Sequence, residues 1–195
     1  MIDLSYRDKK KIAVLTYNAP HRKTYDIACL LKTKGYDDVI IIGIDYHYEK
    51  KFKPIVEHRP SVSNNISPVN LASSLGFNFQ TYHSLSDLDY SKFIDYIFLI
   101  GGAGIIPEKL ARCCKILNSH PGILPLVRGL DALKWALWED KPIGVTVHLV
   151  SEKPDSGTII AQQQLEMDPF DNIQSIGARL YDLEIKLLVD SVEVL

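Results

Sequence analysis

The chain has 195 residues, of which 46% are hydrophobic and 24% are charged, and its formal net charge is −2. This length is enough to bury a core and fits a single domain over residues 1–195. The lack of a basic excess argues against nucleic acid as the main partner, and the longest apolar runs are too short to span a bilayer.

Hydrophobic patterning predicts alternating strands and helices in the first part of the chain. The predicted strands are short, apolar and β-branched, whereas the predicted helices have helical spacing and end near glycine or begin near proline. They are a strand over 11–17, a helix over 24–34, a strand over 38–44, a helix over 68–75, strands over 77–81 and 95–100, a helical turn over 107–111 and a strand over 114–118. The first three elements form a βαβ unit, which implies a parallel pair of strands.

The remainder of the chain continues with a helix over 130–139, strands over 142–149 and 158–162, and a long helix over 172–194. The turn that joins the last two strands favours an antiparallel pair. Alternating strands and helices predict an α/β fold with an open, mostly parallel sheet and flanking helices. The helix over 130–139 is expected to carry an apolar face, with Trp138 as a core or dimer contact. The apolar residues on or near that face are Leu130, Leu133, Ala136, Leu137 and Trp138.

A segment over 45–67 has no clear period and is predicted to be a long loop. Loops of this length in a compact domain are usually functional or mobile. The aromatic and basic residues in it suit a nucleotide, because rings stack on bases and cations bind a diphosphate. These residues are Tyr46, His47, Tyr48, Phe52, His58 and Arg59. A solvated, charge-rich loop is the alternative interpretation.

Asn118 and His120 stand two residues apart at the end of a predicted strand, before a turn rich in proline and glycine. In an extended chain such residues point to the same side, so an amide and an imidazole face one reacting atom. Asp155 lies in the turn between two later strands, and a carboxylate near His120 would raise the pKa of that histidine. Each residue alone is typical of a turn, but together they predict acyl transfer to an amine, which needs donors for the oxyanion and a group that moves a proton.

The stretch from 97 to 162 contains four motifs in a distinctive order. They are Asn118 to Pro125, Arg128-Gly129, Gly144 to His148 and Asp155 to Ile160. This stretch resembles the formyltransferase family that uses 10-formyltetrahydrofolate, which includes glycinamide ribonucleotide and methionyl-tRNA formyltransferases. The resemblance implies a Rossmann-like fold and a single formyltransferase catalytic domain over 1–195.

The same resemblance implies the roles of individual residues. Asn118, His120 and Asp155 would be catalytic, and no metal would be required. Residues that line the pterin pocket would be Gly104, Ile105, Ile106, Val150, Ser151, Glu152 and Pro154. His148 is expected to be structural or to support the catalytic residues rather than to be catalytic itself, and Arg128-Gly129 is expected to contact the substrate or to cap the next helix.

The acceptor amine is indicated by departures from the family. Glycinamide ribonucleotide enzymes have a glycine-rich phosphate loop after the first strand, whereas here residues 16–22 contain no glycine and include Pro20. Methionyl-tRNA enzymes have a further C-terminal domain that binds tRNA, and this chain ends with its last helix. We therefore expect a nucleotide-linked amino sugar as the acceptor.

Three alternatives stay open. The first is glycinamide ribonucleotide formylation with a divergent phosphate site, where the side chains of His21 and Arg22 would meet the phosphate. The second is a non-catalytic folate-binding relative, and the third is hydrolysis of the formyl group to formate.

Cysteine usage indicates the compartment, and the resemblance together with the composition indicates the partners. The odd cysteine count, without a CxxC pair, is typical of a reduced, cytoplasmic protein. We expect a small-molecule amine as the partner, a homodimer as the candidate assembly, and neither nucleic acid nor membrane.

Overall fold

The computed structural model describes residues 10–45 and 65–195, which pack as two compact units. In the described chain, the first unit comprises 10–45 and 65–117, and the second comprises 118–195. The strands of the first unit are β1 (Lys11–Tyr17), β2 (Val39–Ile44), β3 (Asn78–Tyr82), β4 (Tyr96–Ile100) and the start of β5 (Lys115–His120). Its helices are α1 (Arg22–Thr33), α2 (Pro68–Leu75) and α3 (Glu108–Cys113).

The strands of the first unit pair in parallel. Ile12 lies opposite Val39 on one side of β1 and opposite Ile97 on the other. Residues 12–15 of β1 have no exposed surface, because a central parallel strand is covered on both faces. This explains why β1 and β2 are continuous apolar runs rather than alternating ones.

The second unit contains α4 (Ala132–Trp138), β6 (Gly144–Leu149), β7 (Ile159–Gln164) and α5 (Ile173–Asp190). The side chain of Asn172 caps α5 by accepting the backbone N–H groups of Gln174 and Ser175. An apolar core joins both helices to the start of β6, and its buried residues are Val127, Ala132, Leu133, Ala136, Ile143, Val145, Ile176 and Leu180.

The strand order of the sheet is β3-β2-β1-β4-β5-β6-β7. Strands β1 to β5 pair in parallel where they meet, and β6 and β7 are antiparallel with a bulge between Val147 and His148. The predicted mostly parallel α/β sheet with flanking helices is therefore confirmed, as is the antiparallel last pair. The expectation of one catalytic domain over 1–195 stays a prediction.

The expected apolar face of the fourth helix is wrong in part. Leu133 and Ala136 are buried, but Leu130 and Trp138 are 89% and 84% exposed. The chain enters α4 through Asp131, which has a left-handed φ of 56°, so Leu130 lies outside the helix. Trp138 follows Ala136 by two residues, which places it on the opposite side of the helix from the core.

The aromatic and basic residues of the predicted long loop, Tyr46 to Tyr48, Phe52, His58 and Arg59, lie outside the described residues. Among the helices that the structure describes, none combines the length and the apolar character needed to cross a membrane.

Candidate active site

Strand β5 presents Asn118 and His120 on the same side, as their spacing predicted. His120 is 4% exposed and Asn118 is half-buried. Ser119, between them, points the other way and donates its hydroxyl to Oε1 of Glu184 in α5 at 3.2 Å. Because side chains alternate along a strand, Ser119 makes a structural contact on one side of β5, while Asn118 and His120 face the candidate site on the other.

The ring of His120 is held by backbone. Its Nε2 lies 2.9 Å from the carbonyl oxygen of Val127, and because a carbonyl can only accept, Nε2 carries a hydrogen. Gly122 packs against the same ring: a Cβ on Gly122 would lie 2.8 Å from Nε2 of His120. The glycine after His-Pro is therefore required by close packing on the imidazole.

The segment after His120 is held by two residues that the sequence did not single out. Thr146 donates its hydroxyl to the carbonyl of Gly122 at 2.7 Å and accepts the backbone N–H of Leu124 at 3.1 Å. Gln162 of β7 donates to the carbonyl of Leu124 at 2.9 Å and to the Thr146 hydroxyl at 2.8 Å. A polar residue in the apolar, buried run of β6 was the available signal for Thr146, whereas Gln162 lies in the polar half of β7 and offered no such signal.

Asp155 lies at the turn between β6 and β7, with a left-handed φ of 49°. Its Oδ2 accepts the backbone N–H of Gly129 at 2.9 Å and lies 3.6 Å from Nδ1 of His120. Its Oδ1 lies 3.6 Å from Nε2 of His148. Gly129, expected to contact the substrate or cap a helix, instead contacts this carboxylate, and its φ of 81° suits glycine.

The charges of the site follow from these contacts. The pKa of Asp155 is lowered to about 2, chiefly by the neighbouring His148 and then by the Gly129 N–H and His120, although burial opposes this shift. The pKa of His120 is lowered because burial disfavours the imidazolium more than Asp155 and the Val127 carbonyl favour it. At neutral pH, Asp155 is therefore ionised and His120 is neutral. The carboxylate does raise the pKa of His120 as expected, but the net shift has the opposite sign.

His148 is 2% exposed and contacts the other polar residues of the site. Its Nε2 lies 3.4 Å from Nδ2 of Asn118, and its Nδ1 lies 3.0 Å from the carbonyl oxygen of Leu149. The sequence indicated a structural or supporting role for His148 rather than a catalytic one, and these contacts place it beside the catalytic candidates. Its position two residues after Thr146, on the same face of β6, was a signal for its place beside the site.

The residues expected to line a pterin pocket lie in both units. Gly104, Ile105 and Ile106 follow β4 in the first unit, where Ile105 is 93% exposed. The other four, Val150, Ser151, Glu152 and Pro154, lie between β6 and Asp155 in the second unit. In that loop, the Ser151 and Ser156 hydroxyls both donate to the carbonyl of Lys153, at 3.1 and 2.7 Å. Pterin binding by these residues stays a prediction.

No group of three or more His, Cys, Asp or Glu side chains within 10–45 and 65–195 is arranged to hold a metal ion.

The segment after β1, where a phosphate loop was sought, is filled by side chains. The Tyr17 hydroxyl donates to the carbonyl of Ala103 at 3.0 Å. A Cβ on Gly102 would lie 2.8 Å from the Tyr17 ring and 2.9 Å from Cε1 of His21. The Thr24 hydroxyl donates to that of Thr16 at 2.6 Å. An aromatic and hydroxyl cluster thus stands where the glycines of a phosphate loop were sought, and it leads into the N-terminus of α1, whose N-cap residue His21 makes no side-chain cap.

Sequence comparison finds relatives whose names give different acceptors. A phosphoribosylglycinamide formyltransferase from Bacillus subtilis is 38% identical over 96 residues, which cover 48% of this chain and 49% of that protein. A dTDP-4-amino-4,6-dideoxyglucose formyltransferase from Mycobacterium bovis is 30% identical over 89 residues, covering 46% of this chain and 38% of that protein. The chain thus spans about half or less of the length of these curated relatives.

Structural comparison supports the Rossmann-like fold. A phosphoribosylglycinamide formyltransferase from Campylobacter jejuni superposes with a TM-score of 0.67 at 24% identity, covering 94% of this chain and 96% of that one. The family model described as formyl transferase matches residues 57–192, which is more than half of the chain. On this match, together with the geometry of Asn118, His120 and Asp155, the protein belongs to the formyl transferase family.

Proposed function

We propose that this protein transfers a formyl group from 10-formyltetrahydrofolate to a primary amine, with Asn118, His120 and Asp155 as the catalytic residues. The observation that carries the proposal is the contact between an ionised carboxylate and a neutral, buried imidazole, 3.6 Å apart, at the end of the strand that also presents Asn118. Such a site accepts one proton without leaving an unpaired charge, because the imidazolium would form beside Asp155.

The residues meet the needs of the reaction in turn. As the amine nitrogen bonds to the formyl carbon, negative charge develops on the formyl oxygen, and an N–H of the Asn118 amide stabilises it. The attacking amine loses a proton, which His120 accepts directly or through a water. The bond between the formyl carbon and N10 then breaks, and the same proton is returned to N10. Asp155 stabilises the imidazolium between these two steps.

For the acceptor, we propose a nucleotide-linked amino sugar. The cluster of Tyr17, His21 and Thr24 supports this, because aromatic rings and paired hydroxyls take the place of the glycines of a phosphate loop. A relative named for a dTDP-linked amino sugar also matches the chain. The second candidate is phosphoribosylglycinamide, which the 38% identity to the Bacillus subtilis enzyme favours.

The acceptor is tested by incubating the protein with 10-formyltetrahydrofolate and a panel of amines. The panel contains dTDP- and UDP-linked amino sugars, phosphoribosylglycinamide and a free amino sugar, and the readout is loss of the formyl donor together with the mass of the product. We expect a nucleotide-linked sugar to be turned over at about 1 per second or faster. Turnover of phosphoribosylglycinamide at that rate would overturn the preferred acceptor.

Two further outcomes bear on the reaction itself. Folate binding without formyl transfer to any amine would favour a non-catalytic relative. Release of formate with no amine present would point to hydrolysis.

The acid side of the pH profile of kcat gives a separate prediction. His120 must be neutral to accept a proton, so kcat is expected to fall on acidification with a midpoint below 6.5, the ordinary pKa of histidine. Burial and His148 lower the pKa of His120, whereas Asp155 and Glu184 raise it. Replacing Asp155 by Asn should therefore move the midpoint to still lower pH. A midpoint above 6.5, or an upward shift in the Asp155→Asn variant, would contradict His120 as the base.

A further inference from the structure

The ring of His120 lies between two acceptors that compete for its one hydrogen. Nε2 lies 2.9 Å from the carbonyl oxygen of Val127, whereas Nδ1 lies 3.6 Å from Oδ2 of Asp155. A carboxylate is the stronger acceptor, so at equal distances the hydrogen would be on Nδ1. Only the contact to Val127 is within hydrogen-bonding distance, so this carbonyl decides that the neutral ring carries its hydrogen on Nε2.

The choice of tautomer decides which nitrogen of His120 can accept a proton. With hydrogen on Nε2, the lone pair is on Nδ1, which faces Asp155. A proton accepted there forms an imidazolium that donates directly to a carboxylate. In the other tautomer the lone pair would be on Nε2, beside the Val127 carbonyl and away from the negative charge.

The position of the Val127 carbonyl depends on a short turn. The N–H of Val127 donates to the Ile123 carbonyl at 3.0 Å. Ile123 lies between Gly122 and Leu124, and backbone groups of both neighbours bond to one side chain, the hydroxyl of Thr146 in β6. Thr146 therefore holds the start of the turn that carries Val127.

The hydroxyl of Thr146 has three partners. It donates to the Gly122 carbonyl at 2.7 Å, and it accepts the Leu124 N–H at 3.1 Å and an N–H of Gln162 at 2.8 Å. The other N–H of Gln162 bonds to the Leu124 carbonyl at 2.9 Å. The directions are fixed, because backbone carbonyls only accept and backbone N–H groups only donate. Thr146 is 0% exposed, so losing its hydroxyl would leave buried backbone groups unpaired.

We propose that Thr146, assisted by Gln162, is a positioning residue for His120. By holding residues 122–124, and through them the turn to Val127, it keeps a carbonyl on Nε2 of the ring and leaves the lone pair on Nδ1, beside Asp155. The effect on turnover rests on the proposed function, whereas the tautomer of His120 can be measured without it.

Two substitutions of Thr146 separate the hydroxyl from packing. Thr146→Val keeps the shape of the side chain but removes its hydrogen bonds, whereas Thr146→Ser keeps the hydroxyl and loses one methyl group. We expect Thr146→Val to lower kcat about 10- to 100-fold, the order of effect of a misplaced catalytic group, while KM for both substrates changes little. Thr146→Ser should stay within about fivefold of wild type, because its hydrogen bonds remain.

Val145 offers a matched control for loss of packing. It precedes Thr146 in β6, and its side chain is buried in the apolar core of the second unit. Val145→Ala weakens the same strand without touching the hydroxyl, so kcat and the His120 tautomer should remain as in wild type. Unchanged kcat in Thr146→Val, or an equal loss in Thr146→Ser or Val145→Ala, would overturn the proposal.

Gln162 provides a second test that does not require Thr146→Val to fold. Gln162 lies at the surface, and Gln162→Met keeps the length of its side chain but removes both N–H groups. We expect kcat to fall about threefold to tenfold, the contribution of an ordinary hydrogen bond. The neighbouring Gln163, also exposed, points to the other face of β7, so Gln163→Met should have no effect. Equal kcat in the two methionine variants would overturn the proposal.

The tautomer is measured without turnover. Nitrogen chemical shifts of ¹⁵N-histidine-labelled protein in mildly alkaline solution, with the His120 signal assigned by its absence in His120→Asn, should show hydrogen on Nε2 in wild type and Thr146→Ser. Thr146→Val, or Gln162→Met in its place, should show a larger share on Nδ1. Hydrogen mainly on Nδ1 in wild type, or an unchanged share in the variant, would overturn the inference. Wild-type protein that formylates no amine would instead refute the proposed function, and these shifts would still decide whether Thr146 sets the tautomer.

Discussion

Replacement of Asp155 by asparagine is expected to lower kcat on the order of 1000-fold, within the range seen when a carboxylate that supports a catalytic imidazole is neutralised. Asparagine preserves the size of the side chain and can still accept the Gly129 N–H that Oδ2 accepts at 2.9 Å. It removes the charge beside His120, so the imidazolium formed during the reaction would lie buried without a counter-charge. Steady-state kinetics on the identified amine measure the effect.

Asp131→Asn is the matched control for this variant. Asp131 also has a left-handed φ, 56° against 49° for Asp155, but it is exposed and pairs with Lys134 at 3.0 Å. Asparagine tolerates that backbone conformation well, so neither variant should lose much stability. If both the Asp155→Asn and the Asp131→Asn variants kept kcat within threefold of wild type, Asp155 would have no catalytic role.

Replacement of Gly157 by alanine is expected to lower the free energy of unfolding by about 3 kcal/mol or more, at the upper end of the cost of overpacking. A Cβ at this position would lie 1.7 Å from the carbonyl oxygen of Leu149, inside any non-bonded contact. Relief would require the turn to move away from β6, where the Leu149 N–H donates to the Thr158 carbonyl at 2.9 Å. Urea unfolding followed by circular dichroism gives the change.

Gly104→Ala provides the comparison, because a Cβ there meets nothing within 4 Å. We expect its unfolding midpoint to equal that of wild type within experimental error. A Gly157→Ala protein as stable as Gly104→Ala would show that the turn before β7 can relax, and that the glycine is not what holds Asp155 in place.

The parts of the fold that were predictable are those specified by local pattern. Apolar β-branched runs, glycine stops and the turn after Asp155 located most of the helices and strands within a few residues, and period-2 geometry placed Asn118 and His120 on one side of β5. The pairing of β6 with β7 followed in the same way. In each case the deciding interaction lies within a few residues along the chain.

The parts that were missed depend on contacts between distant segments. Asn118 and His148 are 30 residues apart in sequence, and their hydrogen bond exists only because β6 brings the ring beside the end of β5. Leu130 continues the helical period of α4, but the left-handed entry at Asp131 places it outside the helix and leaves it exposed. Local pattern carries no information about either.

The sequence by itself determined the order of strands and helices and the set of an amide, an imidazole and a carboxylate, because these follow from residue type and spacing. Only the tertiary structure decided how those groups are charged and oriented. Burial of His120 outweighs the attraction of Asp155 and leaves the imidazole neutral, and His148 of β6 lies between the Asn118 amide and the Asp155 carboxylate. Both the burial of an ionisable group and the hydrogen-bond partners around it exist only after the chain has folded, so residue type and spacing cannot predict them.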